Sequence, residues 1–209
     1  MKIGMGCLAV LVIVLLVGGL AVWGMYNGLV GKSEAVDAQW SQVENVYQRR
    51  ADLIPNLVAT VQGAAGFEKS TLEAVTEARA SVGRMQVNAG DLVNHPEQFA
   101  KWEQAQAGLS SALQRLMVVA EAYPDLKATA AFRDLQAQLE GTENRITVER
   151  MRYNEVAREY NVARKRFPTN LLAGTFGFGE KVYFKAAAGS EQAPKVQFDF
   201  GNKTPAPAQ

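Results

Sequence analysis

Arg49-Arg-Ala-Asp-Leu-Ile-Pro-Asn-Leu-Val58 interrupts a helical pattern without ending it. Val36, Trp40, Val43 and Tyr47 precede it at steps of three and four, and Ile54, Leu57 and Val61 continue the same face. A proline inside a helix removes one backbone bond and costs about 3 kcal/mol. Charged groups beside a buried face are costly unless paired. A chain that keeps both must compensate for them elsewhere. The period predicts one long amphipathic helix, bent at Pro55 and running out near Gly63 or Gly66.

Three more helices follow. The second begins after Phe67, where Glu68, Ser70, Thr71 and Glu73 suit a helix start, and continues through Leu72, Val75, Ala78, Arg79 and Val82. Asn88-Ala-Gly-Asp and Asn94-His-Pro read as a loop. Pro96 then suits the first position of a third helix, with Phe99, Trp102, Ala105 or Gln106, Leu109, Leu113, Leu116 and Val119 or Ala120 inward. Tyr123-Pro-Asp closes it. The fourth and longest runs from about Asp125 to Phe167 on a stripe of Phe132, Leu135, Leu139, Ile146, Tyr153, Tyr160 and Phe167, much of it at sevens. Such a helix is unstable alone and needs partners along its length. The expected fold is all-α: an antiparallel up-and-down four-helix bundle behind an apolar N-terminal helix, with a short extended, β-like C-terminal tail.

Residues 3–25 are almost unbroken apolar sequence, and residues 8–17 carry no polar side chain. About 20 such residues in helix cross a bilayer. Trp23 and Tyr26 fall where an aromatic belt lies. The stretch is longer than a cleavable signal and runs into Trp23, Met25 and Tyr26, which favours retention. Cys7 lies before most of it, unlike a lipoprotein cysteine. Lys2 on one side and Lys32 on the other tilt the charge balance only slightly. Gly24 and Gly28 form one Gly-x-x-x-Gly spacing at the membrane edge. The chain thus divides into an anchor (1–27), a bundle (28–168), an aromatic-rich extended tail (169–201) and a polar, Pro-rich end expected to be disordered (202–209).

Composition removes several function classes. The formal net charge of +1 gives no electrostatic case for nucleic acid. One cysteine and one histidine leave no Cys-based zinc set, no internal disulfide and no paired Glu-x-x-His motif. Gly174-Thr-Phe-Gly-Phe-Gly lacks the preceding strand and following Lys-Ser/Thr of a phosphate loop. His95, in a loop before Pro96, reads as solvated. No nucleophile, cofactor site or metal site is expected, and the chain is read as a non-enzyme.

Two polar stripes remain. On the fourth helix lie Glu143, Thr147, Arg150, Asn154 and Asn161; on the first lie Arg49, Arg50, Asp52 and Asn56. One reading pairs Asp52 with an arginine across the bundle, and Glu143 with Arg49 or Arg50, fixing helix register. The other makes them ordinary solvated faces. In the tail, Leu171, Leu172, Phe176, Phe178, Tyr183 and Phe184 are dense apolar residues, residues 181–185 suit a short strand, and Val196, Phe198 and Phe200 alternate onto one face. That tail could cap the open end of the bundle, rest on the membrane to which a fourth helix must return, or add as a strand to a partner.

The segment 49–58, together with Tyr123-Pro-Asp-Leu-Lys, Leu139-Glu-Gly-Thr-Glu-Asn-Arg-Ile, Tyr153-Asn, Tyr160-Asn and Phe167-Pro, resembles the LemA family across nearly the whole chain. That resemblance implies a membrane-anchored helical bundle with a short external N-terminus and a cytoplasmic body at the inner membrane. The expected function is a single-pass scaffold or adaptor working through contacts with a second copy or another membrane protein. Two rivals stand beside it. One is a lipid-contacting or remodelling protein, with Arg164, Lys165 and Arg166 near the membrane end suiting headgroups. The other is a small-ligand or stress sensor of the envelope, with the polar stripe lining a pocket.

Overall fold

A computed structural model describes residues 2–64, 66–85 and 92–185. Its helices are α1 (Lys2–Gln62), α2 (Lys69–Arg84), α3 (Pro96–Ala120), α4 (Pro124–Ala128), α5 (Ala130–Lys165) and α6 (Thr169–Thr175). No strand occurs among the described residues.

α1 is continuous. It has no break between the apolar N-terminal stretch and the bundle, and it runs through Pro55 to end just before Gly63. Large apolar side chains from Leu8 to Trp23 face outward, and Leu29 is the first buried one among the described side chains. Among the described residues α1 alone is long and apolar enough to cross a membrane. A Cβ added at Gly24 or Gly28 would meet nothing within 4 Å in this chain.

α1 and α5 form the longest packed pair. Lys32 bonds Glu159 near one end and Arg50 bonds Glu143 further along, so the two run antiparallel. α3 runs with α1: Trp40 meets Phe99, and Tyr47 meets Trp102. α2 packs chiefly on α3, completing an up-and-down four-helix bundle. At the far end the Tyr123 hydroxyl donates to the Gly66 carbonyl at 2.8 Å, tying the α1–α2 turn to the α3–α4 turn. Gly66 sits at φ +79° in that turn, where a side chain would strain the backbone.

The core has two parts. The part nearer the apolar segment is aromatic: Trp40, Tyr47, Phe99, Trp102, Tyr153, Tyr160 and Phe184. The far part is aliphatic, built on Ile54, Leu57, Val61, Val75, Leu109, Leu113, Leu116 and Leu139.

Two boundaries differ from the sequence expectation. The fourth helix begins at Ala130 rather than near Asp125, because Thr129 breaks out at ψ 138° and caps the helix. Its hydroxyl accepts from the Phe132 amide and donates to the Leu126 carbonyl. The helix ends at Lys165, so Phe167 leaves the core stripe and is 81% exposed. Its buried residues Phe132, Leu139, Ile146, Tyr153 and Tyr160 keep the seven-residue spacing.

Candidate functional site

Pro55 cannot donate to the Ala51 carbonyl. Arg79 of α2 does so instead, its Nε lying 3.1 Å from that oxygen. The bond that proline removes from α1 is thereby replaced by a bond between helices.

One turn before Pro55, Arg50 enters the core at 1% exposure. It lies at the junction between the aromatic and aliphatic parts. Its guanidinium donates to Glu143 Oε1 at 2.6 Å, Ser110 Oγ at 2.7 Å and Gln106 Oε1 at 2.5 Å, and its Cζ stands 5.0 Å over the Tyr47 ring. α1, α3 and α5 therefore meet on one cation. Arg50 Nε is buried with no direct partner. The expectation that Glu143 meets Arg49 or Arg50 thus falls on Arg50, and Gln106, a polar residue at an inward position of α3, is the further sequence sign of the layer.

The rest of the α1 stripe faces water. Arg49, Asp52 and Asn56 are exposed. Asp52 accepts from Gln48 at 2.7 Å on its own helix, and among the described residues it pairs with no arginine across the bundle. The α1 helix turns Arg50 inward, whereas Asp52, two positions on, falls on the solvent side.

Nor do Asn154 and Asn161 face the α1 stripe. They grip the tail. The Asn161 side chain donates to the Lys181 carbonyl at 2.8 Å and accepts from the Lys181 amide at 3.0 Å. Asn154 makes the same two bonds with Phe184, at 3.0 and 2.9 Å. One residue before each asparagine, Tyr160 and Tyr153 donate to the carbonyls of Gly179 and Val182. Steps of seven on α5 thus meet steps of three on the tail. Seven helical residues rise about 10.5 Å, and three extended residues cover about 10 Å. The two Tyr-Asn pairs form a ruler that fixes the register of an antiparallel backbone strap. The expected strand at residues 181–185 is therefore not part of a sheet; α5 side chains supply most of its partners, and the Val182 amide donates to the Val93 carbonyl at 3.0 Å.

Other groups lock the strap. Arg164 Nε donates to the Phe178 carbonyl, and Arg150 donates to the Lys185 carbonyl and to Glu103. Lys181 is buried and bonds Asp37 of α1 at 2.9 Å. Phe184 inserts among Trp40, Phe99 and Tyr153, with the Arg150 guanidinium 4.4 Å above it. Phe178 and Phe176 place their edges near Tyr26, while Tyr183 is half-buried. Gly177, at φ +76°, makes the turn from α6 into the strap. Val196, Phe198 and Phe200 lie outside the described residues.

Burial raises the phenols of Tyr153, Tyr160 and Tyr47 above the ordinary tyrosine value, with nearby arginines opposing the shift at Tyr160 and Tyr47. Burial also raises the Glu44 carboxyl. The polar layer opens on a groove of about 570 Å³ lined by Arg50, Glu103, Ser110, Glu143, Arg150 and Lys185. Every acid there stands against an arginine. Such a set can orient helices or bind a polar group. No group of three His, Cys, Asp or Glu side chains gathers among the described residues.

A family model described as the LemA family matches residues 39–198. Among curated proteins the chain is similar to magnetosome protein MamQ 2 of Paramagnetospirillum magneticum, 30% identical over 176 residues, covering 77% of this chain and 64% of that protein. MamQ 1 of the same organism gives the same figures. MamQ of Magnetospirillum gryphiswaldense is 29% identical over 174 residues, covering 76% and 64%. The chain therefore spans less than two thirds of the length of these relatives.

Proposed function

The chain belongs to the LemA family, and from that premise we propose that it is a non-enzymatic, membrane-anchored scaffold acting through protein contacts. The observation that carries this reading is the unbroken α1. One helix serves as both the apolar segment and the first bundle strut, so the bundle is held at a fixed pose on its anchor. A tethered enzyme has no need of such a joint, whereas a scaffold that sets the geometry of its partners does. The Arg50 layer and the tail strap support the reading, since both spend polar chemistry on rigidity rather than on a reacting centre. In this proposal the chain crosses the inner membrane once, with its bundle cytoplasmic. The relatives carry the name magnetosome protein, which is compatible with this reading.

Cross-linking of the tagged full chain in native membranes, read by mass spectrometry, tests it. A discrete ladder of self-linked species, or a reproducible link to one other membrane protein, is the expected result. Monomer alone, across cross-linkers of several lengths, would sink the scaffold reading. The groove beside Arg50 would then direct work to small polar ligands, through melting shifts of the purified chain.

A further inference from the structure

The bundle end nearest the apolar segment carries an outward apolar face that no core residue explains. Phe167 is 81% exposed, Leu171 62% and Phe176 51%. Single exposed apolar residues are ordinary. These three are set apart by their place. Phe176 packs edge-on against Tyr26 at 5.2 Å, and Tyr26 lies just beyond the outward apolar run of α1, which reaches Trp23. The turn after α5, the whole of α6 and the start of the strap therefore lie where the apolar run meets the bundle. Ala173 turns inward on the opposite side of α6, so Leu171 faces away from the protein.

We propose that Phe167, Leu171 and Phe176 insert into the interfacial layer of the same bilayer that α1 crosses, giving the protein a second foot on the membrane. The occupant follows from continuity: the apolar band of α1 and this face meet at Tyr26, so a bilayer surrounding the first reaches the second. Aromatic residues favour that layer, and interfacial elements bury their apolar face about 5–10 Å deep. Arg166 is exposed beside the face, at a level suited to lipid phosphates, and Lys165 next to it is exposed but pairs with Glu180 at 2.7 Å. The inference goes beyond the scaffold reading and stands whether or not a protein partner exists. It requires only that α1 inserts.

The test uses the full chain carrying Cys7→Ser, with one environment-sensitive thiol label at a time on Phe167→Cys, Leu171→Cys, Trp23→Cys or Val118→Cys. Val118 is a far-end control, 72% exposed. Each protein is reconstituted at low protein-to-lipid ratio into phosphatidylcholine–phosphatidylglycerol vesicles bearing headgroup nitroxides. Circular dichroism checks that each variant keeps its helix content. The expected result is several-fold stronger quenching at 167 and 171 than at 118. Quenching at 23 with none at 167 or 171 overturns the foot while leaving the anchor intact. Quenching at neither 23 nor 167 and 171 overturns both. Shielding of 167 and 171 that grows only with protein-to-lipid ratio assigns the face to a second copy and overturns the proposal.

Discussion

At the residue scale, one buried cation and two asparagines carry most of the specificity. Glu143→Ala leaves the Arg50 charge in the core with only Ser110 and Gln106. Losing one partner of a fully buried pair costs about 3–5 kcal/mol. Because the Glu143 side chain is 44% exposed and neutral partners remain, about 2–3 kcal/mol is expected by urea denaturation. Asp52→Ala, at an exposed site, should stay within about 0.5 kcal/mol of wild type. Asn161→Asp keeps the acceptor for the Lys181 amide but sets a carboxylate against the Lys181 carbonyl. Hydrogen exchange at Lys181 and Phe184 should accelerate at neutral pH while α5 amides stay protected; unchanged exchange would count against the ruler. This part of the site was half legible in sequence. The pairing of Glu143 with Arg49 or Arg50 was among the sequence expectations, and the seven-residue spacing stood out, but the partners of Asn154 and Asn161 did not. A polar stripe beside a core face looks the same whether it meets another helix, water or a strap. Asn154 and Asn161 bond backbone atoms, and backbone partners leave no complementary residue type to find.

At the scale of elements, Pro55 and Arg79 act together. Arg79→Ala should cost about 1 kcal/mol by removing the donor to the Ala51 carbonyl. In a Pro55→Ala background the restored amide reaches that carbonyl, and the same change should cost close to nothing. Additive effects in this double-mutant cycle would refute the substitution of one bond for the other. Existence and order of the long helices were readable because their apolar period is long and regular, as at Phe99, Trp102, Leu109, Leu113 and Leu116. The break at Thr129 was not, since a single cap within an otherwise helical run changes no periodicity. The short α6 also escaped notice, because it buries only Ala173 and Leu171 points outward. Period-based reading detects buried faces, and α6 barely has one.

For the whole molecule, the aromatic half of the core gives an alkaline signature. An unfolded tyrosine ionises near pH 10, whereas Tyr153, Tyr160 and Tyr47 ionise higher in the folded chain. Their contribution is complete below about pH 10 and declines as pH rises through the folded values, because the unfolded state releases its protons first. The urea midpoint should therefore hold steady up to about pH 9 and fall above about pH 10. Phe substitutions at Tyr153 and Tyr160 would flatten that fall while removing their bonds to the strap.

The unbroken α1 also makes the molecule a lever. From Tyr26 to Gln62 the helix extends about 54 Å. A change of about 10° in the tilt of its apolar segment would sweep the far end through about 9 Å. An apolar stretch longer than its bilayer tilts to fit, so in an anchored chain a change in thickness at one end can become a displacement of the bundle tip at the other.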